Sequence, residues 1–346
     1  MKLSLKTMII PLTAVLLSGC VFPFGPDSSP TSEPTSEPTS EPTSEPTSVP
    51  TSDPTSEPTS APTSYPTSSV GPQVLPDSYY DLTKYNLNGA IGPSLQFEIH
   101  RLMLDTHTKL IPYSDFASYC KSTTTNPVSI DQVSETNKKN EFFYTGKEAA
   151  FGTSFTREHV WPCAKSGGMW VHKSDAGPYY VDGSGYVGGG SDLYHVRPCT
   201  SAVNTARGDS RFKEFTAEEK AEAEANGFVS SDGGPYVLYC DAKTFANYAE
   251  PADEFKGDIA RILMYVYIHY SKMGNYNWET YCGSLSLTDI MGYTTATEAR
   301  EALVRWNEMD LPSETEILRN KTVQAIQGNR NPFVDYPHLM RNCFGL

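Results

Sequence analysis

Two stretches hold the residues whose types and spacing could do chemistry. Phe155 to Cys163 (FTREHVWPC) sets a carboxylate beside an imidazole, Glu158 and His159. Ser191 to Phe212 (SDLYHVRPCTSAVNTARGDSRF) adds an amide, Asn204, and a guanidinium, Arg207. An imidazole titrates near neutral pH and can take a proton from water. Mg²⁺ prefers hard oxygen ligands, keeps several waters and binds through few protein groups, which suits Glu158 and Asn204. Arg207 follows Asn204 by three residues and shares its face if the segment is helical, and its planar fork suits a phosphate. These are the parts needed to hydrolyse a phosphodiester with one divalent metal ion. A Glu-His dipeptide alone is a weak sign, since an isolated histidine is more often structural. Adjacent residues on a strand also point to opposite faces. Glu158 and His159 can share a site only if the strand ends or bulges near His159, and Trp161-Pro162 just beyond favour an end there.

The elements that must position these groups are legible from periodicity and caps. Pro93 to Thr108 reads as a helix with Pro in its first turn, and its His100 and His107 read as ordinary core or surface residues. A short strand is expected at Glu141 to Tyr144, closed by Gly146, and a longer one at Phe151 to Val160. Lys165 to Gly190 is rich in Gly and Tyr and reads as a long loop or loose hairpin, with a strand-like run at Ser191 to Pro198. Ser201 to Gly208 reads as a helix start or turn, and Val237 to Cys240 as a strand. Thr216 to Glu224 carries a capping box, Thr216 with Glu219. Gly257 to Tyr270 (GDIARILMYVYIHY) is the most apolar helix and the expected core, with His269 packed inside it. Thr295 to Met309 and Ser313 to Ala325 are two more helices, the second with a box from Ser313 and Glu316. The fold class is therefore α+β: a mixed helical domain with a small sheet.

The 346 residues carry a formal charge of −14. Of 41 acids and 27 Lys and Arg, seven and two precede position 75, so the remainder still holds about −9. Net charge thus argues against nucleic-acid binding, which would need a local basic patch and a metal. Met1 to Gly19 reads as an export signal: Lys2 and Lys6, then an apolar run from Met8 to Leu17 too short to span a bilayer. Leu17-Ser18-Gly19-Cys20 resembles the bacterial lipobox, which implies lipidation of Cys20; an ordinary cleaved signal is the alternative. Pro30 to Ser68 repeats Pro-Thr-Ser-Xaa and has no apolar face, so residues 20–74 are expected to form an unpacked stalk. Its 39 repeat residues reach roughly 120 Å when extended. The catalytic domain is expected at 75–346. Six cysteines remain after Cys20: Cys120, Cys163, Cys199, Cys240, Cys282 and Cys343. In an exported chain they allow up to three disulfides, with Cys163–Cys199 a candidate that would staple the two motifs; other pairings or free thiols stay open.

FTREHVWP, SDLYHVRP and VNTARGDSRF together resemble the bacterial endonuclease I family, secreted or periplasmic nucleases of the ββα-metal (His-Me finger) kind. DEFKGDIARILMYVYIHY at 253–270 and RNKTVQAIQGNRNPFVDYP at 319–337 extend the likeness over most of 90–340. The resemblance implies His159 as general base, Glu158 and Asn204 as metal ligands, and Arg207 as a phosphate or structural contact. Asp192 and His195 match the polar run that supports the site, Asp192 as a supporting acid. Tyr194 stands where relatives commonly carry His. Trp161, Pro162 and the turn at Asn329, Arg330 and Asn331 look structural. Some relatives place a further Arg between the two motifs, on the product phosphate. No Arg lies between Arg157 and Arg197 here, which leaves Lys165, Lys173 or Arg197 as substitutes.

The expected activity is extracytoplasmic, metal-dependent, non-specific endonucleolytic hydrolysis of DNA, with RNA open as a second substrate, leaving 5′-phosphates. Mg²⁺ is the expected cofactor, with Mn²⁺ or Ca²⁺ as alternatives. The membrane is the one other partner implied, through the lipidated Cys20, and no protein partner is. The competing reading is a non-catalytic surface module that binds nucleic acid or glycan through its 21 tyrosines.

Overall fold

A computed structural model of the chain describes residues 79–121, 128–162, 165, 171–172, 186–271 and 285–346. All belong to one unit, Pro72–Leu346; the other, Met1–Gly71, lies wholly outside the described residues, as do Cys20 and the expected stalk.

The architecture is α+β. Helix α1 (Pro93–Thr106) starts on its proline, as its sequence requires, and buries Leu95, Ile99, Leu102 and Met103 along one face. A single 3-10 turn, Tyr113–Asp115, leads into α2 (Phe116–Tyr119). Strands β1 (Lys139–Phe142) and β2 (Lys147–Ala150) form a hairpin. The first strand stops at Phe142, two residues earlier than expected, because Tyr144 and Gly146 turn the chain with φ of 71° and 63°. What reads in sequence as one strand from Phe151 is only β3 (Thr156–His159). Val171–His172 (β4) pairs antiparallel with Tyr186–Val187 (β5); of the expected loop or loose hairpin, 166–170 and 173–185 lie outside the described residues. Strand β6 (Val196–Cys199) returns antiparallel to β3, and α3 (Ser201–Arg207) follows at once.

A second sheet has the order β7-β10-β9-β8, from Arg211–Phe212 (β7), Val229–Ser230 (β8), Leu238–Cys240 (β9) and Tyr248–Pro251 (β10). Helix α4 (Ala217–Ala225) sits between β7 and β8 in sequence and carries the full Thr216–Glu219 capping box. Helix α5 (Asp253–Tyr270) is the core. Fifteen of its 18 residues are buried, as an all-round apolar helix demands. It packs against α1 and α7 (Ala296–Met309), with short α6 (Leu287–Ile290) beside α7. Then come α8 (Glu314–Gln327), α9 (Pro332–Asp335) and α10 (Leu339–Phe344). Ser313 caps α8 through Glu316 N, but the reciprocal half of that box is missing. The Glu316 carboxylate turns inward instead and takes Arg261 Nε at 2.8 and 2.9 Å. No helix of the described residues is long and apolar enough to cross a membrane.

Close approach of α5 to the end of α7 depends on Gly257. A Cβ built there would lie 1.9 Å from the Asp310 carbonyl oxygen, and Gly257 N–H donates to the Asp310 carboxylate at 2.9 Å. Backbone cannot yield as a side-chain tip does. Gly257→Ala should therefore destabilise the protein by about 1–3 kcal/mol, read as a lower urea midpoint at unchanged m-value. An unchanged midpoint would show that the α5–α7 contact is looser than described.

The disulfide expectation is corrected in part. Cys120, Cys199, Cys240 and Cys343 are free and buried. The Cys199 thiol donates to the Phe143 carbonyl at 3.7 Å and does not bridge to Cys163, so the expected staple is absent. Cys163 and Cys282 lie outside the described residues.

Candidate active site

Strand β3 ends at His159, where the sequence required an end. The register is regular, Glu158 opposite Arg197 and His159 opposite Val196, so no bulge separates the acid from the base. The pleat starts their side chains on opposite faces, and the end of β3 at His159 is what allows both to reach one site. Glu158 points inward and is buried; its Oε1 accepts from the Tyr144 hydroxyl at 2.6 Å and pairs with Arg207 at 3.3 Å. His159 stays half-buried on the other face, 5.6 Å between ring centroids from His195 and 5.5 Å from Tyr113.

Arg207 explains why the strand stops. Beyond His159 the ladder ends, and carbonyls left in the interior need donors. The guanidinium supplies them, to His159 O at 3.1 Å and Val160 O at 2.6 Å, while lying over the Phe212 ring. Arg207 is completely buried, and of the phosphate or structural contact that the resemblance implied, its contacts are of the structural kind, to the end of β3 and to Glu158. Its place is set by α3, which Gly208 closes with a φ of 55°. Burial pushes the Glu158 carboxyl above its ordinary value, against the pull of Arg207 and Tyr144.

The His159 ring is held in one tautomer. Its Nε2–H donates to the Gly190 carbonyl at 2.7 Å, which leaves the basic lone pair on Nδ1. Burial pushes its pKa down to about 4, with Arg207 and Arg157 adding to the shift, so the ring is neutral at physiological pH. His195 grips the neighbouring carbonyl, Gly189 O, at 2.6 Å and accepts from Trp161 N–H at 2.9 Å. Burial keeps it neutral as well, at about 3. The two imidazoles thus clamp consecutive residues of the 188–191 turn, one from β3 and one from the turn's own downstream segment. His195 is a clamp with both nitrogens engaged.

Asn204 lies on α3, facing β3. Its Nδ2 donates to Thr156 Oγ1 at 3.1 Å and to Arg157 O at 3.3 Å. Both donors are thereby spent on the strand, and the amide oxygen takes no hydrogen bond from the described residues. Glu158 likewise commits only Oε1. One carboxylate oxygen and one amide oxygen thus remain uncommitted on adjoining elements, and this hard-oxygen donor set fits a divalent cation of the Mg²⁺ kind. A second, possible metal-binding triad lies deeper: donor atoms of His107, Asp192 and His269 fall within 4.8 Å of one another, all buried. There the two imidazoles hydrogen-bond each other at 2.8 Å, closer than two nitrogens sit on one metal with tetrahedral bonds of about 2.0–2.1 Å. Asp192 also accepts from the Tyr265 and Tyr270 hydroxyls at 2.7 and 2.6 Å and from Tyr194 N–H at 2.7 Å. That carboxylate is an internal anchor, and the Tyr194 hydroxyl supports the frame by donating to the Asn320 and Asn329 carbonyls.

Among the suggested phosphate contacts, Arg197 is buried and bound to Asp131 at 3.0 Å, Lys165 pairs with Asp209 at 3.3 Å, and Lys173 lies outside the described residues. Sequence reasoning missed Tyr144 and Tyr113, which touch Glu158 and His159 from distant segments, and no periodicity marks either. Arg319 on α8 was also missed; it donates to Asp131 at 2.9 Å and to the Leu193 and Val196 carbonyls, locking β6 in place.

The Endonuclease I family profile matches residues 98–338. An extracellular ribonuclease of Bacillus subtilis (strain 168) is 30% identical over 271 residues, covering 77% of this chain and 78% of that protein. An extracellular ribonuclease of Bacillus amyloliquefaciens is 30% identical over 271 residues, covering 78% of each.

Proposed function

The chain belongs to the Endonuclease I family of phosphodiester hydrolases, and we propose that it is an exported, metal-dependent endonuclease that cuts RNA and DNA without sequence preference. The observation that carries the reading is a neutral imidazole with its lone pair directed by a carbonyl, at the end of a strand where that strand and the adjoining α3 each offer one hard oxygen, from Glu158 and Asn204. His159 Nδ1 takes a proton from the attacking water. Glu158 and Asn204 would hold the cation, which would supply Lewis-acid stabilisation of charge on the phosphoryl and leaving oxygens. Tyr144 and Arg207 hold Glu158 in place from behind, and Gly190 holds the base. Trp161, His195 and Asp192 fix the surrounding turn. Attack by water needs no 2′-hydroxyl, so DNA and RNA are both substrates, and the 3′ oxygen leaves to give a 5′-phosphate.

Export follows from the N-terminal signal and accords with two relatives described as extracellular. Lipidation at Cys20, with residues 20–74 as a stalk, would tether the enzyme outside the membrane. The test uses end-labelled RNA and DNA oligonucleotides with Mg²⁺, with EDTA, and with Mn²⁺ or Ca²⁺ added back. The expected result is cleavage of both polymers to 5′-phosphate ends, abolished by EDTA and restored by a divalent ion. Cleavage of RNA alone with 2′,3′-cyclic ends, or full activity in EDTA, would reject this mechanism. Binding of nucleic acid or glycan without cleavage would favour the non-catalytic module.

A further inference from the structure

We propose that Arg157 is the residue that grips a substrate-strand phosphate beside the base, with the Tyr113 ring as the platform that aims it. The proposal rests on the nuclease reading above and adds a substrate contact to it. Arg157 and His159 are two residues apart on β3, so their side chains leave the strand on the same face, away from Glu158. Both meet the same aromatic ring: the guanidinium carbon lies 4.4 Å from the Tyr113 centroid, and the His159 ring stacks on it at 5.5 Å and 19°. The two functional groups are therefore registered against one another through a single side chain, which arrives on the 3-10 turn after α1.

The backbone beneath Arg157 is fixed as well. Its carbonyl accepts from Asn204 Nδ2 at 3.3 Å, and it stands opposite Pro198 of β6. The charge, by contrast, meets no carboxylate among the described residues. Arg157 is half-buried and takes part in none of the ion pairs of the described residues. Among the described residues the alternative cations are otherwise engaged: Arg207 and Arg197 are buried with Glu158 and Asp131, and Lys165 pairs with Asp209. In a chain of net charge −14, a guanidinium held in a fixed pose next to the base, with no acid paired to it among the described residues, is a local attractor for an anion. Its fork matches the non-bridging oxygens of a phosphate, and every nucleic-acid strand presents those whatever its sequence or sugar. Arg157 would thus fill the role that an Arg between the two motifs fills in some relatives.

The test is binding of a single-stranded RNA oligonucleotide to the full chain in EDTA across a salt series, with steady-state kinetics in Mg²⁺. Arg157→Gln should weaken binding and raise KM by about tenfold, and should reduce the slope of log K against log salt by about 0.7. Its melting temperature should match wild type. Arg157→Lys should keep the salt slope and recover part of the affinity, because it keeps the charge and loses the fork. Wild-type affinity and slope in Arg157→Gln, with wild type still cleaving, would overturn the assignment and leave the nuclease reading intact. A lower melting temperature and kcat with unchanged KM and slope would make Arg157 a packing group and overturn it equally. A wild type that cuts neither RNA nor DNA would overturn the nuclease reading itself.

Discussion

His159→Ala should lower kcat/KM on RNA and on DNA by about 10²–10⁴-fold while the protein stays folded. The size follows from the role: the proton acceptor is lost, and the cation site on Glu158 and Asn204 remains. The structural cost is small. Truncation removes one hydrogen bond, Nε2–H to Gly190 O, worth about 0.5–1.5 kcal/mol, and a ring stack on Tyr113. Gly189 stays held by His195, so the 188–191 turn keeps one of its two clamps. Melting temperature and kinetics measured on one preparation separate the two effects. If activity falls only a few-fold, the base lies elsewhere; if the protein unfolds, His159 is mainly a turn clamp. His159→Asn sharpens the comparison, because an amide can still donate to Gly190 yet has no basic lone pair at neutral pH. It should be as inactive as the alanine variant and more stable.

Long-period features were legible in the sequence, and features that depend on tertiary partners were not. The core helix at 253–270 announces itself by an unbroken apolar run, and α4 by a capping box that forms as read; the Thr295–Glu298 box of α7 went unread. The box at Ser313 fails by half because a buried Arg261 on another helix outbids the local partner for Glu316. A charge-assisted pair in the interior outweighs a cap hydrogen bond at the surface. The strand expected from Phe151 breaks up for a similar reason. Its residues before Thr156 turn the chain out of β2, with Thr153 N–H donating to the Ala150 carbonyl at 3.0 Å, and hydrophobicity alone does not mark where such a turn stops and pairing with β6 begins.

The site shows the same split. Residue types and spacing pointed to His159, Glu158 and Asn204, and β3 does end at His159. The spacing of Asn204 and Arg207 on one short helix was also legible, since Gly208 stops it. What could not be read was which way each side chain faces once β3 and β6 pair. Arg207 carries the fork of a phosphate ligand, and nothing local distinguishes a fork aimed at solvent from one aimed at two carbonyls. Arg157 is the reverse case: it passes as an ordinary strand residue until the Tyr113 ring beneath its guanidinium sets it apart.

Arg207→Ala should destabilise the protein by about 3–5 kcal/mol, the largest stability loss expected of any site residue. Three interactions go at once. Glu158 keeps its carboxylate in the interior with only Tyr144 as partner. The His159 and Val160 carbonyls lose their donors, and the Phe212 ring loses the cation above it. Leaving a buried charge unpaired is the dominant cost, and this has a consequence that can be measured. Replacing Glu158 with Gln removes that charge, so Arg207→Ala should cost less in a Glu158→Gln background than in wild type. A double-mutant cycle should give a coupling energy of about 0.5–3 kcal/mol between the two positions. Activity should fall in every one of these variants, and so does not discriminate; stability does. If Arg207 instead served the phosphate directly, Arg207→Ala would lose kcat at an unchanged denaturation midpoint, and the cycle would show no coupling. The guanidinium would then have to leave the interior during turnover, abandoning the two carbonyls that end β3.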